Sequence, residues 1–216
     1  PDKLVLFSEE QYRQVKDPAY SRNYPPKGMK RYTPGMKIPW TLCWSLTKEE
    51  GCYLPFTYCF ANTPYDKDNK GWTFNSNGCA AGNTIEEAVL QGFYELIERD
   101  ATSVWWYNRL PMPSVDLNSL DQSVLTLING TLSPHWEYWV LDLTHDFGIP
   151  VMAAVGRSRE NREIRLGFGC HLNAAVACQR ALSELCQLVA INNKGPRVFD
   201  FKKIDYYNIF HVPAQC

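Results

Sequence analysis

No C-x-x-C pair occurs in this 216-residue chain, so the zinc-ribbon and thioredoxin-like signatures are missing. His135, His145, His171 and His211 form no H-x-x-x-H or H-E-x-x-H spacing, which removes helix-borne zinc sites. No apolar run approaches the ~18 residues of a membrane span. No basic segment followed by an apolar one opens the sequence. Neither sign of charge prevails: Lys plus Arg is 22, Asp plus Glu is 23, and the formal net charge is −1. That excludes attachment to nucleic acid or to an anionic membrane by bulk charge. Internal repeats and low-complexity tracts are absent as well.

What is present is ordinary globular composition, 45% apolar and 21% charged, with 7 Trp, 12 Tyr and 10 Phe for an aromatic-rich core. A chain of this length buries roughly 70% of its extended surface, so it needs no disulfide framework. Cys43, Cys52, Cys59, Cys79, Cys170, Cys178, Cys186 and Cys216 are therefore expected as free thiols, most of them buried, in a reducing cytoplasmic compartment.

Residues 1–39 are expected to form an irregular N-terminal arm, because 17–39 carry five prolines and two glycines without a period. Trp40, Leu42, Trp44 and Leu46 alternate with polar or small residues and predict a half-buried strand. K-E-E-G turns it, C-Y-L-P-F-T-Y-C-F returns as the second arm of a hairpin, and Pro55 suggests an edge position. A polar loop follows around Lys70. A long helix is predicted from Thr84 to about Tyr107, with Thr84 and Glu87 spaced as a capping box and Pro111 and Pro113 closing it. A shorter helix is expected over L-N-S-L-D-Q-S-V-L-T-L-I-N-G. Strands are expected over W-E-Y-W-V-L-D-L-T, P-V-M-A-A-V-G and E-I-R-L-G-F-G, with D-L-T-H-D as a turn. A second long helix runs from Asn173 to Asn193, ended by Gly195 and Pro196, and the tail is ambiguous. The fold class this implies is α/β of the α+β type: a two-layer sandwich whose mixed or largely antiparallel sheet is packed by two long helices.

Three carboxylates share one stripe of the first long helix. At 100° per residue Glu87, Gln91, Glu95 and Glu98 fall at about 0°, 40°, 80° and 20°, and Ile85, Val89, Leu90, Phe93, Leu96 and Ile97 fall between about 160° and 300°. Like charges at these spacings repel, and neither Arg99 nor Lys70 is expected to relieve them. The stripe reads either as a solvated face with one capping glutamate or as donors for a hard cation such as Mg²⁺. The preceding loop, Ser76 to Asn83, is a run of small residues that reads as a tight turn or as a phosphate cradle. Asn83 lies four residues before Glu87. On the second helix Arg180, Glu184 and Gln187 share an arc. They read as an exposed ion pair, or as an arginine for a phosphate and a carboxylate for a metal or a ribose. Cys79 is either a small loop residue or a thiol at a helix start. Arg157, Arg159, Arg162 and Arg165 form a basic hairpin, either a solvated turn or a contact for an acidic peptide.

The segment S-N-G-C-A-A-G-N-T-I-E-E-A, continued by E-L-I-E-R-D, resembles the signature of the YcaO superfamily. I-P-W-T-L-C-W-S-L-T before it, and D-L-T-H-D-F-G-I-P-V-M-A-A-V and G-F-G-C-H-L-N-A-A-V-A-C-Q-R-A-L-S-E-L-C-Q after it, agree, so the resemblance spans roughly residues 38–193. It implies an enzyme that uses ATP and Mg²⁺ to activate a peptide backbone amide, with azoline (thiazoline or oxazoline) formation in a ribosomal peptide as the product class. By resemblance, Asn83 and Glu87 match the family's amide-x-x-x-Glu element at nucleotide and metal, Glu95 and Glu98 its paired metal-binding glutamates, Arg99 the arginine that follows them, and Arg180 and Glu184 its later Arg-x-x-x-Glu element near the phosphates. The implied sets are Asn83, Glu87, Arg99, Arg180 and Glu184 for the nucleotide, and Glu87, Glu95, Glu98 and Glu184 for the metal. The family's upstream Ser-x-x-x-Glu-x-x-Glu helix has no counterpart: Ser45 and Glu49 match by letters on a hairpin turn, and Cys52 stands where Glu belongs. Residues 40–216 are accordingly expected to be the C-terminal portion of a YcaO-like domain, from a longer protein or a degenerate member, and inactive alone. Expected partners are a precursor peptide and a protein or domain that delivers it, with a homodimer open and no nucleic acid or membrane. The rival reading is a non-catalytic scaffold that binds a peptide or partner with the same fold.

Overall fold

A computed structural model describes residues 3–16, 31–65, 74–191 and 211–212. The expected arm over 17–30, the loop at Lys70, the end of the second long helix at Gly195 and Pro196, Cys216 and all of the tail but 211–212 lie outside the described residues. The chain forms two compact units, residues 1–76 and 77–216.

In the first unit α1 (Glu9–Lys16) is followed by β1 (Trp40–Ser45), β2 (Glu50–Pro55) and the single-turn α2 (Phe56–Cys59). The hairpin is antiparallel, with Cys43 opposite Cys52, and the 3–5 segment runs beside β2 through the Leu4–Tyr53 bridge. Three expectations are corrected here. The 1–39 stretch is not irregular throughout: Ser8 and Gln11 cap α1 reciprocally, Gln11 Oε1 accepting from the Ser8 N–H at 2.7 Å and Ser8 Oγ from the Gln11 N–H at 3.1 Å. The return strand stops at Pro55, whose φ of −57° suits the residue before a helical turn. The alternating face of β1 is largely open, for Trp40 is half-buried but Leu42 and Trp44 are 66% and 64% exposed.

The second unit contains α3 (Ile85–Asn108), β3 (Met112–Pro113), α4 (Gln122–Leu132), β4 (Trp136–Asp142), β5 (Val151–Ser158), β6 (Ile164–Cys170), α5 (Ala174–Ile191) and β7 (His211–Val212). The strands β4-β5-β6 form an antiparallel sheet in that order, Asp142 facing Met152 and Val151 facing Cys170. Short β3 and β7 pair in parallel. The α+β class and the antiparallel sheet stand as expected. The layering differs, because β5 is apolar at successive positions and buried from Val151 to Gly156, so both faces need cover. On one face Tyr94, Ile97, Ala101 and Trp105 of α3 pack on Leu141, Ala153 and Val155. On the other, Ala177, Ala181, Leu182 and Leu185 of α5 and Ile128 and Leu132 of α4 pack on Val140, Met152 and Ala154. The turn expected at D-L-T-H-D falls later, because Asp142 is the last residue of β4 and the turn spans His145–Gly148, the His145 carbonyl accepting from the Gly148 N–H at 2.9 Å.

The approach of α5 to β6 is close because the residues of β6 facing it are glycines. A Cβ on Gly169 would stand 2.1 Å from the Ala177 carbonyl oxygen, and one on Gly167 2.3 Å from that of Ala181. Alanines on the helix complete the contact. Gly169→Ala should lower the unfolding free energy by about 1–3 kcal/mol through overpacking, read as a lower urea midpoint at unchanged slope. Gly130→Ala in α4, where a Cβ meets nothing within 4 Å, should instead add about 0.5–1 kcal/mol. Equal midpoints for Gly169→Ala and the parent would overturn the close approach.

Candidate functional site

The start of α3 is set by its own first residues. Thr84 is the N-cap, its Oγ1 accepting from the Glu87 N–H at 3.2 Å. Glu87 Oε2 accepts from the Asn83 backbone N–H at 2.7 Å and from Asn83 Nδ2 at 3.0 Å. Asn83 and Glu87 therefore meet, as their spacing suggested, but both are exposed and their bonds serve the helix start. The loop before them lies directly on α3 at Gly92, where a Cβ would meet the Gly78 carbonyl oxygen at 2.7 Å.

Two turns along α3 is an open pocket of about 300 Å³. Cys79, Ala80 and Ala81 wall it from the loop, Gln91, Tyr94, Glu95 and Glu98 from α3, Cys170 from the end of β6 and Arg180 from α5. Glu98 is only 8% exposed. Burial pushes its carboxyl up to about 7. Arg99 pulls it down, while the charges of Glu95 and Glu184 push it further up. Burial likewise raises the Cys170 thiol to about 11, with Glu98 adding to the rise and Arg180 opposing it, so no ready thiolate faces the pocket from β6.

Arg99 corrects the expectation that the stripe has no counter-ion. Its guanidinium pairs with Glu98, and its Nε lies 3.3 Å from Glu95 Oε1, an i,i+4 pair. The Nε nevertheless lacks a hydrogen-bond partner, and the group stacks over Phe168 with its carbon 5.6 Å from the ring centre. Both carboxylates are thus held by one imperfectly aligned cation. The rotation of the helix is also corrected: the buried arc holds Tyr94, Ile97, Glu98, Ala101 and Trp105, whereas Ile85, Val89, Phe93 and Leu96 are 41–79% exposed. The sheet takes the stripe beside the carboxylates and carries Glu98 inward with it.

From α5, Arg180 Nη1 donates to Gln91 Oε1 at 2.9 Å and to the Cys170 carbonyl at 3.1 Å. Glu184 Oε2 accepts from the Phe168 N–H at 2.5 Å. Of the two readings, the exposed ion pair is not formed; both residues are half-buried and bond to the backbone of β6. The structure brings Glu95, Glu98, Arg99, Arg180 and Glu184 together and leaves Asn83 and Glu87 apart. The expected four-carboxylate metal set is not gathered: among the described residues no three Cys, His, Asp or Glu side chains stand close enough to hold one ion. Glu87 is eight residues, or ~12 Å of helix rise, from Glu95. Glu95 and Glu98 remain a pair of hard oxygen donors one turn apart, which fits Mg²⁺ when phosphate oxygens complete its shell. Gln91 was on the stripe without a role; the i,i+4 spacing to Glu95 placed it there. The basic hairpin is largely neutralised, since Arg157 and Arg159 share Glu137, and Arg165 pairs with Glu163. Cys79 is exposed, and Cys43, Cys52, Cys170, Cys178 and Cys186 are free thiols.

A family model described as YcaO cyclodehydratase, ATP- and Mg²⁺-binding, matches residues 1–213. An uncharacterised protein of Methanothermobacter thermautotrophicus is 32% identical over 168 residues, 74% of this chain and 43% of its own. A solved heterocyclase in complex with substrate and cofactor is 37% identical at a TM-score of 0.68, over 87% of this chain and 26% of that one. The YcaO protein of Methanopyrus kandleri, bound with AMPPCP and Mg²⁺, is 27% identical at a TM-score of 0.59, over 74% and 44%. The chain thus spans less than half the length of these relatives.

The raised Glu98 carboxyl has a signed consequence for stability. The unfolded carboxyl titrates near its ordinary 4.5 and the folded one near 7, so between these values the folded state binds more protons. Its contribution is present in full below about 4.5 and is lost as pH rises through about 7. In metal-free buffer, urea midpoints should fall across this window by no more than about 3 kcal/mol of stability. Glu98→Gln should flatten that slope, and an identical slope in the variant would refute the assignment to Glu98.

Proposed function

The chain belongs to the YcaO family, and from that we propose that it is the part of an ATP- and magnesium-dependent enzyme that activates backbone amides of a ribosomal peptide to form azoline rings. The observation that carries this reading is the meeting of Glu95, Glu98 and Arg180 at one pocket, with Glu98 buried and Glu184 near enough for its charge to act on it. Such a set offers hard donors, one of them buried, and a cation at one pocket.

In this reading Glu95 and Glu98 hold Mg²⁺, Arg180 contacts the phosphates, Arg99 anchors the two glutamates, and Glu184 adds negative charge beside the metal donors. Asn83 and Glu87 fix the loop that walls the pocket, and reach the nucleotide through it. When bound, Mg²⁺ supplies neutralisation of phosphate charge, the main demand of phosphoryl transfer. The peptide amide oxygen attacks the terminal phosphorus of ATP and ADP leaves. A Cys, Ser or Thr side chain of the peptide closes onto the activated carbon, and the oxygen departs as phosphate. Arg180 keeps its full charge for this work, because both of its acceptors are neutral. No side chain of the pocket need act as nucleophile, in keeping with the raised Cys170 thiol. The precursor peptide and the protein or domain that delivers it are the partners. The scaffold reading draws on the exposed α3 stripe, Ile85, Val89, Phe93 and Leu96, but leaves a buried carboxylate at the pocket without a use.

The complete protein carrying Glu95→Ala and Glu98→Ala should lose at least about 10²-fold in ADP formation, with no loss of water mass from the peptide, while its circular dichroism is unchanged. In the parent chain Mg-ATP should raise the melting temperature, and in the double variant it should not. Unchanged turnover in the double variant sinks the reading; peptide capture indifferent to nucleotide favours the scaffold.

A further inference from the structure

Arg180, which lines the pocket, and Arg99, which pairs with its carboxylates, are held in opposite electrostatic states. Arg99 sits between two carboxylates and is neutralised by them. Arg180 donates only to neutral acceptors, Gln91 Oε1 and the Cys170 carbonyl. Among the described residues it enters no ion pair, although Glu184 is one helical turn away and Glu95 and Glu98 line the same pocket. Glu184 is occupied instead by the Phe168 N–H. A guanidinium has donors only, so it is the amide oxygen of Gln91 that faces it. That bond joins residues 89 apart in sequence, from the helices on opposite faces of the sheet.

We propose that Gln91 is a positioning residue. Its carboxamide fixes Arg180 at the pocket without cancelling its charge, and so makes Arg180 the anion-binding group of the site. A glutamate at 91 would hold the guanidinium as well or better but would neutralise it and add a fourth carboxylate to the stripe. A methionine would fill the same space with no adequate acceptor. A charged acceptor is stronger than a neutral one, so the carboxamide here trades bond strength for retained charge. The proposal rests on the nucleotide reading above for the identity of the anion, but not for the restraint on Arg180.

Two measurements on the full chain separate these parts. In ¹⁵N spectra of the arginine side chains, with Arg180→Lys for assignment, the parent should show slowed rotation of the Arg180 guanidinium. Gln91→Met should release it and Gln91→Glu should keep it. In Mg-ATP titrations both variants should bind about tenfold more weakly or worse, the size of one charge-assisted hydrogen bond. A merely structural Gln91 predicts instead that Gln91→Glu binds as the parent does, and that result overturns the proposal. So does an Arg180 signal that is free in the parent or unmoved in Gln91→Met. A parent that binds no Mg-ATP yet restrains Arg180 sinks nucleotide binding by this chain alone, and the spectra then support the positioning role.

Discussion

Everything at the pocket depends on how near α5 lies to the last strand of the sheet. Gly167 and Gly169 face the backbone of the helix, with no room for a Cβ at either. Ala177 and Ala181 meet them from the helix side. At that range two side chains one turn apart, Arg180 and Glu184, wrap the edge of β6 and bond to its backbone at Cys170 and Phe168. Antiparallel edges leave alternate residues with both backbone groups unpaired, and such groups demand partners when buried. The strand edge is thereby covered, and Arg180 also reaches the pocket that α3 lines from the other face. Larger residues at 167 and 169 would move the helix off the strand and carry both of these side chains with it.

Much of this was legible because it is local. The Thr84–Glu87 spacing announces the start of α3, and the alternating and continuous apolar runs mark β4, β5 and β6. The repeated Gly in G-F-G-C and the arc of Arg180 and Glu184 were visible too. Other features were present as signals and outweighed. Ser8-x-x-Gln11 is a capping box for α1, but the proline-rich stretch after it suggested an arm without helix. Glu95 and Arg99 stand at i,i+4, the spacing that stabilises an ion pair. What periodicity could not decide was which of two apolar arcs on α3 the sheet would take. Tyr94, Ile97, Ala101 and Trp105 form one; Ile85, Val89, Phe93 and Leu96 form the other. Both are apolar at helical spacing, and tertiary packing chose the one that contains Glu98. The Gln91–Arg180 bond was not legible at all, since it needs the helices brought together across the edge of β6.

The choice of arc has an electrostatic result. Had α3 turned the other arc inward, Glu98 would be solvated and would titrate as an ordinary glutamate. With Glu98 inward, burial disfavours its charge, and each neighbouring carboxylate makes ionisation harder. A cation is then worth more there than at a solvated pair, because attraction grows as the local dielectric falls. Arg99 supplies part of that cation from within the chain. It does so with an unaligned Nε and a ring stack, so the pair is incompletely satisfied.

Arg180 faces the complementary problem. A guanidinium beside three carboxylates would ordinarily collapse onto one of them and leave no charge for an incoming anion. Here each carboxylate has another claim on it: Glu95 and Glu98 share Arg99, and Glu184 takes a strand-edge N–H. Gln91 and the Cys170 carbonyl then hold Arg180 in place without neutralising it. Arg180 stays unpaired among these carboxylates only because every member is tied to something else. A triphosphate with its divalent cation carries the complement of that pattern, with oxygens for the arginine and a metal for the carboxylates.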